Sequence, residues 1–330
     1  MQIRKVKIAG TGKYLPEQVV TAEELDKKLG VPHGWVLKKT DVSVRHYVKE
    51  ETASQMGAKA AAAALEHAGL TFADIDCLVS TSGTMEQPIP CTASLIQKAM
   101  GQEHSGVPAF DINSTCLSFF TGLDVMSYMI ASGRYSRILL VATEVASVGL
   151  NWSHKESAAL FGDGAAAAVI SLADDEEPSR ILCSAMKTFS AGAHLAQIRG
   201  GGTKVHPRLA DQVEPFLFEM DGRAIYKMAS NQLPDFVSGL LHTADCSMAD
   251  LQLVIPHQGS AMAMRLIAKK LGISEQQLMN ITPTHGNTIA ASIPMGLHEA
   301  IHQGRIKRGE RLMLLGTSAG FSVGGMILAY

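Results

Sequence analysis

One pattern recurs along this chain and narrows the folds open to it more than any other. Ala73-Asp-Ile-Asp-Cys-Leu-Val echoes Ala249-Asp-Leu-Gln-Leu-Val-Ile at an offset of 176. Gly133-Arg134 ahead of Ile138-Leu-Leu-Val-Ala echoes Gly304-Arg305 ahead of Leu312-Met-Leu-Leu-Gly at an offset of 171. Short apolar runs follow amphipathic or Ala-rich stretches, as Cys77-Leu-Val-Ser-Thr follows Gln55 to Ala68, which is the signature of strands alternating with helices. An α/β chain of two related halves is expected, 1–175 and 176–330, joined near the acidic Asp174-Asp-Glu-Glu-Pro178. Residues 183 to 215 are rich in Gly and His with little periodicity, so they are expected to form a long excursion that walls a site.

Composition removes several function classes. Charged side chains make up 18 % of the 330 residues, below the roughly 25 % usual for soluble domains, and hydrophobic ones 46 %, so part of the surface is expected to be covered in a homo-oligomer. The net charge is −2 and no like-charge run exceeds Asp174 to Glu177, so neither nucleic acid nor an acidic membrane surface is an expected partner. Five cysteines without CxxC spacing fit a reducing cytoplasm better than a disulfide framework or a zinc site. Met1 to Lys7 lacks a long apolar stretch and no 18 consecutive apolar residues occur, so an exported or membrane-spanning protein is not expected. Asp174 to Glu177 reads as a solvated linker, and His194, His206, His242, His298 and His302 lack ligand spacing, so no metal is expected. Met262 and Met264 read as the core-facing side of a helix.

Asp111-Ile-Asn-Ser-Thr-Cys116-Leu-Ser-Phe-Phe begins as a strand and continues as a helix ending at Ser132-Gly133. Cys116 therefore sits at a helix N-terminus, where free N–H groups and the helix dipole are expected to make a thiolate accessible. A lone cysteine is more often a buried structural residue, which is the reading kept for Cys77, Cys91, Cys183 and Cys246. The company of Cys116 separates it from these. His257 falls at the end of the buried run Val254-Ile-Pro, and Asn287 follows the turn Thr284-His-Gly. The Cys116-to-Asn287 offset equals the 171 of the second echo, so the halves are expected to bring thiol and amide together. Thiol, imidazole and amide suit acyl transfer on thioesters: cysteine takes the acyl group, and two neutral donors hold an enolate oxygen.

With these residues in view, the sequence resembles the β-ketoacyl-acyl carrier protein synthase III family over essentially its whole length. Gly10-Thr-Gly-Lys-Tyr-Leu-Pro16, Trp35, Lys39-Thr40, Asp111 to Phe119, Phe161-Gly-Asp-Gly, Pro256-His-Gln258, Ala268-Lys-Lys-Leu-Gly and His285-Gly-Asn-Thr carry it. The resemblance implies a five-layered αβαβα thiolase fold, a homodimer, no cofactor, and a Cys116, His257, Asn287 triad. It implies that Cys116 accepts the acyl group of an acyl-CoA, and that malonyl-acyl carrier protein then decarboxylates and attacks it. Backbone N–H groups of Cys116 and Ala319 are implied as the oxyanion hole, with Ala319 replacing a family glycine. Trp35 is implied against the CoA adenine, Lys39 and Lys155 near its phosphates, Phe161, Arg223 and Ser260 along the substrate, and Ile89 as a plug reaching the partner's acyl pocket.

Departures from the family bear on substrate. Gly259-Ser260-Ala261-Met262 replaces the usual Ala-Asn-x-Arg, leaving Arg265, one turn later, as the expected carrier-docking cation. Arg223 replaces an asparagine, and Ile89 replaces a phenylalanine in a loop two residues longer, so primers beyond acetyl are expected. Rivals are a non-decarboxylative acyl–acyl condensation, a secondary-metabolism relative, a papain-like protease, whose residue order is also Cys, His, Asn, and a silent binding subunit.

Overall fold

The structure is a computed structural model that describes residues 3–209 and 211–330. Met1 and Gln2, in the N-terminal stretch, and Ala210, in the Gly/His-rich excursion, lie outside the described residues.

Two sheets carry the same order and sense. In the first, Val6–Tyr14, Gly164–Leu172, Arg137–Glu144, Cys77–Ser80 and Ala109–Asp111 lie side by side, with the first two pairings antiparallel and the last two parallel. In the second, Arg180–Thr188, Ser322–Ala329, Arg311–Ser318 and Leu253–Pro256 repeat those orientations, and a bridge from Val254 to Leu278 stands where the fifth strand would be. The echoed runs are paired alike: Cys77 opposes Ile138 as Leu253 opposes Leu312. The turns before them also match, since Thr71 caps with Asp74 as Ser247 caps with Asp250.

Helices complete five layers. Ala53–Ala68 and Thr92–Ala99 cover the first sheet. Ser118–Ala131 and Ser292–His302 lie between the sheets, and Gly222–Thr243 and Ala261–Leu271 cover the second. The Ala-rich composition has a packing reason. A Cβ at Gly12 would meet the Ala60 carbonyl at 2.2 Å and one at Gly10 the Ala64 carbonyl at 2.5 Å, so helix Ala53–Ala68 lies directly on the edge strand. Thr52 and Gln55 form a capping box that starts this helix, and Gly69 in the left-handed region ends it. The middle layer is the main core, where Leu117, Phe119, Phe120, Leu123 and Met126 meet Ile293, Met295 and Leu297.

The offset of 171 between Cys116 and Asn287 does not mark equivalent positions in the two halves. Thr115–Leu117 and Ile289–Ala291 are matching 3-10 turns leading into the two central helices, and each opens on a residue with positive φ, Thr115 at 53° and Ile289 at 48°. Asn113 Oδ1 accepts Thr115 N–H at 2.8 Å as Asn287 Oδ1 accepts Ile289 N–H at 2.9 Å. The counterpart of Asn287 is thus Asn113, and that of Cys116 is Ala290. The offset of 171 belongs to the helix ends, because the second central helix is three residues shorter than the first (11 against 14).

The excursion begins at Phe189 and not at 183, since residues 183–188 complete the strand Arg180–Thr188. The Gly-rich C-terminus is a hairpin turning at Ala319-Gly320-Phe321.

Candidate active site

Cys116, His257 and Asn287 line one cavity of about 2170 Å³ that opens to the surface. Cys116 sits in the turn Thr115–Leu117, His257 just past strand Leu253–Pro256, and Asn287 on the approach to the matching turn. The two turns pack on each other between the sheets, which is how residues 171 apart share one site.

Cys116 is half-buried, and its thiol does not behave as the helix-terminus argument expects. Burial pushes its pKa up to about 11, with Glu144 adding to the rise. The N–H of Ala319, that of Cys116 itself and the Thr115 side chain only partly offset this. Leu117 and Ser118, which follow the cysteine, are wholly enclosed, so desolvation outweighs the dipole. Ala319 stands on the hairpin turn, and the Thr115 hydroxyl donates to its carbonyl at 3.3 Å, which ties the turn to the thiol.

His257 is neutral: burial lowers its pKa to about 4, against a weak raising contact with the Ile289 carbonyl. Ser292 Oγ lies 2.8 Å from His257 Nδ1 and accepts Gln258 N–H at 3.2 Å. With one hydrogen bond already accepted, we assign the Ser292 proton to Nδ1, which leaves Nε2 carrying the imidazole N–H.

Asn287 is clamped by the Phe161 segment. Gly162 N–H donates to the Asn287 carbonyl at 3.1 Å and Asn287 N–H to the Leu160 carbonyl at 2.8 Å. Two glycines permit this approach: a Cβ at Gly162 would meet the His285 carbonyl at 2.2 Å, and one at Gly286 the Leu160 carbonyl at 2.7 Å. With Oδ1 occupied by Ile289 N–H, Nδ2 is the donor end of the amide; one of its two N–H groups donates to the Gly259 carbonyl at a long 3.5 Å, which leaves the second for a substrate oxygen.

The other expected residues divide. Trp35, Lys39, Lys155, Phe161, Arg223, Ser260 and Ala319 all line the cavity. Lys39 lies 3.5 Å from Glu156 and 5.9 Å from the Trp35 ring centre, and Phe161 stacks edge-on with Phe218 at 5.2 Å. Ser260 caps helix Ala261–Leu271 through Ala263 N–H. Ile89 is not among the lining residues; it is 84 % exposed on its loop. Arg265 is not among the lining residues and is ion-paired with Asp41. Met264 is buried as expected, whereas Met262 is 51 % exposed at the cavity rim, because Ser260 starts the helix and turns this position outward. Cys91 and Cys246 are half-buried, unlike the buried Cys77 and Cys183. The excursion supplies Gly192, Leu195, Ile198 and Gly200 to the cavity wall.

Two residues escaped the sequence reading. Ser292 gives no signal beyond opening a helix. Glu144 ends an apolar strand, which is a signal, and it is enclosed with its pKa raised to about 7 by burial. Its carboxyl accepts from Gly83 N–H, Thr84 N–H at 3.0 Å, the Thr84 hydroxyl at 2.6 Å and Ala290 N–H, joining both halves behind the thiol. Among the described residues no group of three or more His, Cys, Asp or Glu is arranged to hold a metal ion, and no helix is long and apolar enough to cross a membrane.

The chain is similar to known proteins along its length. Family models described as 3-oxoacyl-[acyl-carrier-protein] synthase III match residues 110–190, and as its C-terminal part residues 241–330. The β-ketoacyl-[acyl-carrier-protein] synthase III of Vesicomyosocius okutanii is 33 % identical over 324 residues, 98 % of each chain. The solved 3-oxoacyl-[acyl-carrier-protein] synthase III of Aquifex aeolicus is 32 % identical with a TM-score of 0.88, covering 98 % of this chain and 100 % of that one. The Pseudomonas aeruginosa enzyme is 29 % identical with a TM-score of 0.91, covering 99 % and 98 %. A papain-like fold is thereby overturned, the order Cys, His, Asn being shared by coincidence. A duplicated five-layered fold with a cysteine, a neutral imidazole and an oriented amide at its centre, matched along its length by these relatives, belongs to the 3-oxoacyl-[acyl-carrier-protein] synthase III family of condensing acyltransferases.

Proposed function

We propose that this protein condenses an acyl-CoA primer with malonyl-acyl carrier protein, giving 3-oxoacyl-acyl carrier protein, CoA and CO2, the initiating step of fatty acid synthesis. One observation carries the reading: a thiol approached by the N–H groups of Ala319 and of its own residue shares a cavity with a neutral imidazole and a free amide donor.

In the first half-reaction Cys116 attacks the thioester, the acyl group moves to its sulfur, and the proton lost from the thiol ends on the sulfur of CoA. Exchange of one thioester for another costs little free energy. In the second, the malonyl carboxylate leaves as CO2 and its electron pair forms an enolate, whose oxygen takes hydrogen bonds from His257 Nε2 and Asn287 Nδ2. Neutral donors suit this step because nothing has to be deprotonated first. The carbanion attacks the acyl carbon while Cys116 and Ala319 N–H groups hold the oxyanion. Collapse releases the Cys116 thiolate, which takes one proton from water, so each turnover consumes a solvent proton. No metal or organic cofactor enters this scheme.

Trp35, Lys39, Lys155, Phe161, Arg223 and Ser260 are assigned to the pantetheine and nucleotide end, Arg265 to the carrier protein, and Ile89 to the partner's acyl pocket. Lysine keeps the charge facing a phosphate but not the bidentate fork of arginine. A homodimer is supported by the short edge strand Ala109–Asp111, which exposes Phe110, and by the exposed apolar Val125, Tyr128 and Met129 of helix Ser118–Ala131. The halves 1–175 and 176–330 are read as duplicates, and the protein as cytoplasmic. Acyl–acyl condensation removes an α-proton and so needs a base; decarboxylative chemistry is favoured because the candidate for that base, Glu86 on the Ile89 loop, is engaged by Ser54 N–H at 2.6 Å.

The test is intact-mass analysis of wild type and Cys116→Ala after mixing with acyl-CoA esters. An adduct on wild type alone supports the reading, and an equal adduct on Cys116→Ala overturns it.

A further inference from the structure

The cavity continues past the triad. Beyond the ends of strands Leu253–Pro256 and Arg311–Ser318 it enters the space between the second sheet and its outer helices, lined by Ala229, Leu233, Val254, Ile267, Ile273 and Leu278. These six side chains are apolar, and none is exposed. Alternation along the strand explains the separation from the layer that holds the thiol: Leu253 and Ile255 face the core between the sheets, whereas Val254 faces the outer helices.

Protein interiors leave few voids larger than a water molecule, so open apolar space inside a core requires something that holds it open. The roof supplies this. Helix Gly222–Thr243 contains Pro234, which has no N–H to give the Ser230 carbonyl four residues earlier. Lys270 of the neighbouring helix donates to that carbonyl at 2.6 Å and to Ser230 Oγ at 2.9 Å, fixing the spacing of the two helices. Ala229, Ala263 and Ala268 keep the facing surfaces small. With no charged side chain among the six lining it, such a space is suited to hydrocarbon and not to ordered water.

We propose that this chamber, in place of the pocket at the partner subunit to which the resemblance assigns Ile89, receives the hydrocarbon tail of the acyl group carried on Cys116, so that the primer is a long-chain acyl thioester and not acetyl. The inference rests on the acyl-Cys116 reading above.

The experiment offers the wild-type protein an equimolar mixture of acetyl-, octanoyl- and dodecanoyl-CoA and reads the adducts by intact mass. The same mixture is given to Ala229→Phe, which fills the chamber, and to Ile267→Trp, at a half-buried position that keeps the test available should the first variant not fold. The expected result is a dodecanoyl adduct at least tenfold above acetyl in wild type, with that ratio falling at least tenfold in each folded variant. Acetyl preference in wild type, or a ratio unmoved in folded variants, overturns the chamber alone. No adduct from any ester, when the same acyl groups on carrier protein also fail, overturns the acyl-Cys116 reading and the chamber with it.

Discussion

Replacing Ser292 with alanine tests whether the imidazole is held in one tautomer. Ser292 is fully enclosed, and its hydroxyl serves two groups, His257 Nδ1 at 2.8 Å and Gln258 N–H at 3.2 Å. Truncation leaves both without that partner in a place water does not readily reach. An unsatisfied buried polar group costs about 1–3 kcal/mol. The two groups together cost about 2–6 kcal/mol; if about half of that falls on the imidazole's alignment in the transition state, the barrier to decarboxylation rises by about 1–3 kcal/mol, a loss of about five- to 150-fold in rate. The assay is release of labelled CO2 from malonyl-acyl carrier protein by protein already acylated on Cys116, beside the 15N spectrum of labelled histidine. Wild type is expected to carry the proton on His257 Nε2, and Ser292→Ala to show a mixture of tautomers with the slower rate. A rate within twofold of wild type, or a slower rate with the tautomer unchanged, refutes the reasoning.

Further outcomes follow from the same geometry. With the Cys116 thiol held near 11, its alkylation by iodoacetamide rises about tenfold per pH unit without a plateau below pH 10; a plateau near pH 7 would contradict the burial argument. Gly286 has φ 67° and ψ −162°, a region almost reserved for glycine, so Gly286→Ala costs about 1–3 kcal/mol in urea unfolding and lowers condensation by displacing Asn287; unchanged stability would show that the backbone adapts. His257, His285 and His298 are all held near 4 by burial, so between pH 6.5 and 4 the unfolded chain binds protons that these rings refuse, and stability falls as pH drops through that window. The fully buried His285 contributes on the order of 3 kcal/mol of this, and Glu144, raised to about 7, works in the opposite sense between pH 7 and 4.5. Urea midpoints at pH 7, 5.5 and 4.5 measure the balance, and His285→Gln flattens the fall.

Local pattern carried the chain a long way. The alternation of apolar runs and helices, the paired echoes and the positions of Cys116, His257 and Asn287 are all legible because each depends on a few neighbouring residues. What failed depends on the third dimension. The thiolate expectation used the helix terminus alone, whereas the enclosure of Leu117 and Ser118 sets the environment of the thiol. The shared offset linked Cys116 to Asn287 without saying which residue matches which; the second central helix is three residues shorter, and the paired turns match Asn287 to Asn113 and Cys116 to Ala290. Ser292 and Glu144 act through residues distant in sequence, so neither leaves a motif. The apolar chamber arises where two helices are pinned apart by Lys270 at a carbonyl freed by Pro234, and no periodicity encodes that.

The central claim is that Cys116 carries the acyl group while His257 and Asn287 drive decarboxylation. It is tested most directly by acylating wild type, His257→Ala and Asn287→Ala with the preferred acyl-CoA, adding malonyl-acyl carrier protein, and following CO2 and 3-oxoacyl-carrier product together. The account predicts stoichiometric CO2 and product from wild type, and from both variants an acyl adduct on Cys116 that persists, with CO2 release reduced at least a hundredfold. Release of CO2 by both variants at the wild-type rate, or product formed by Cys116→Ala, would contradict it.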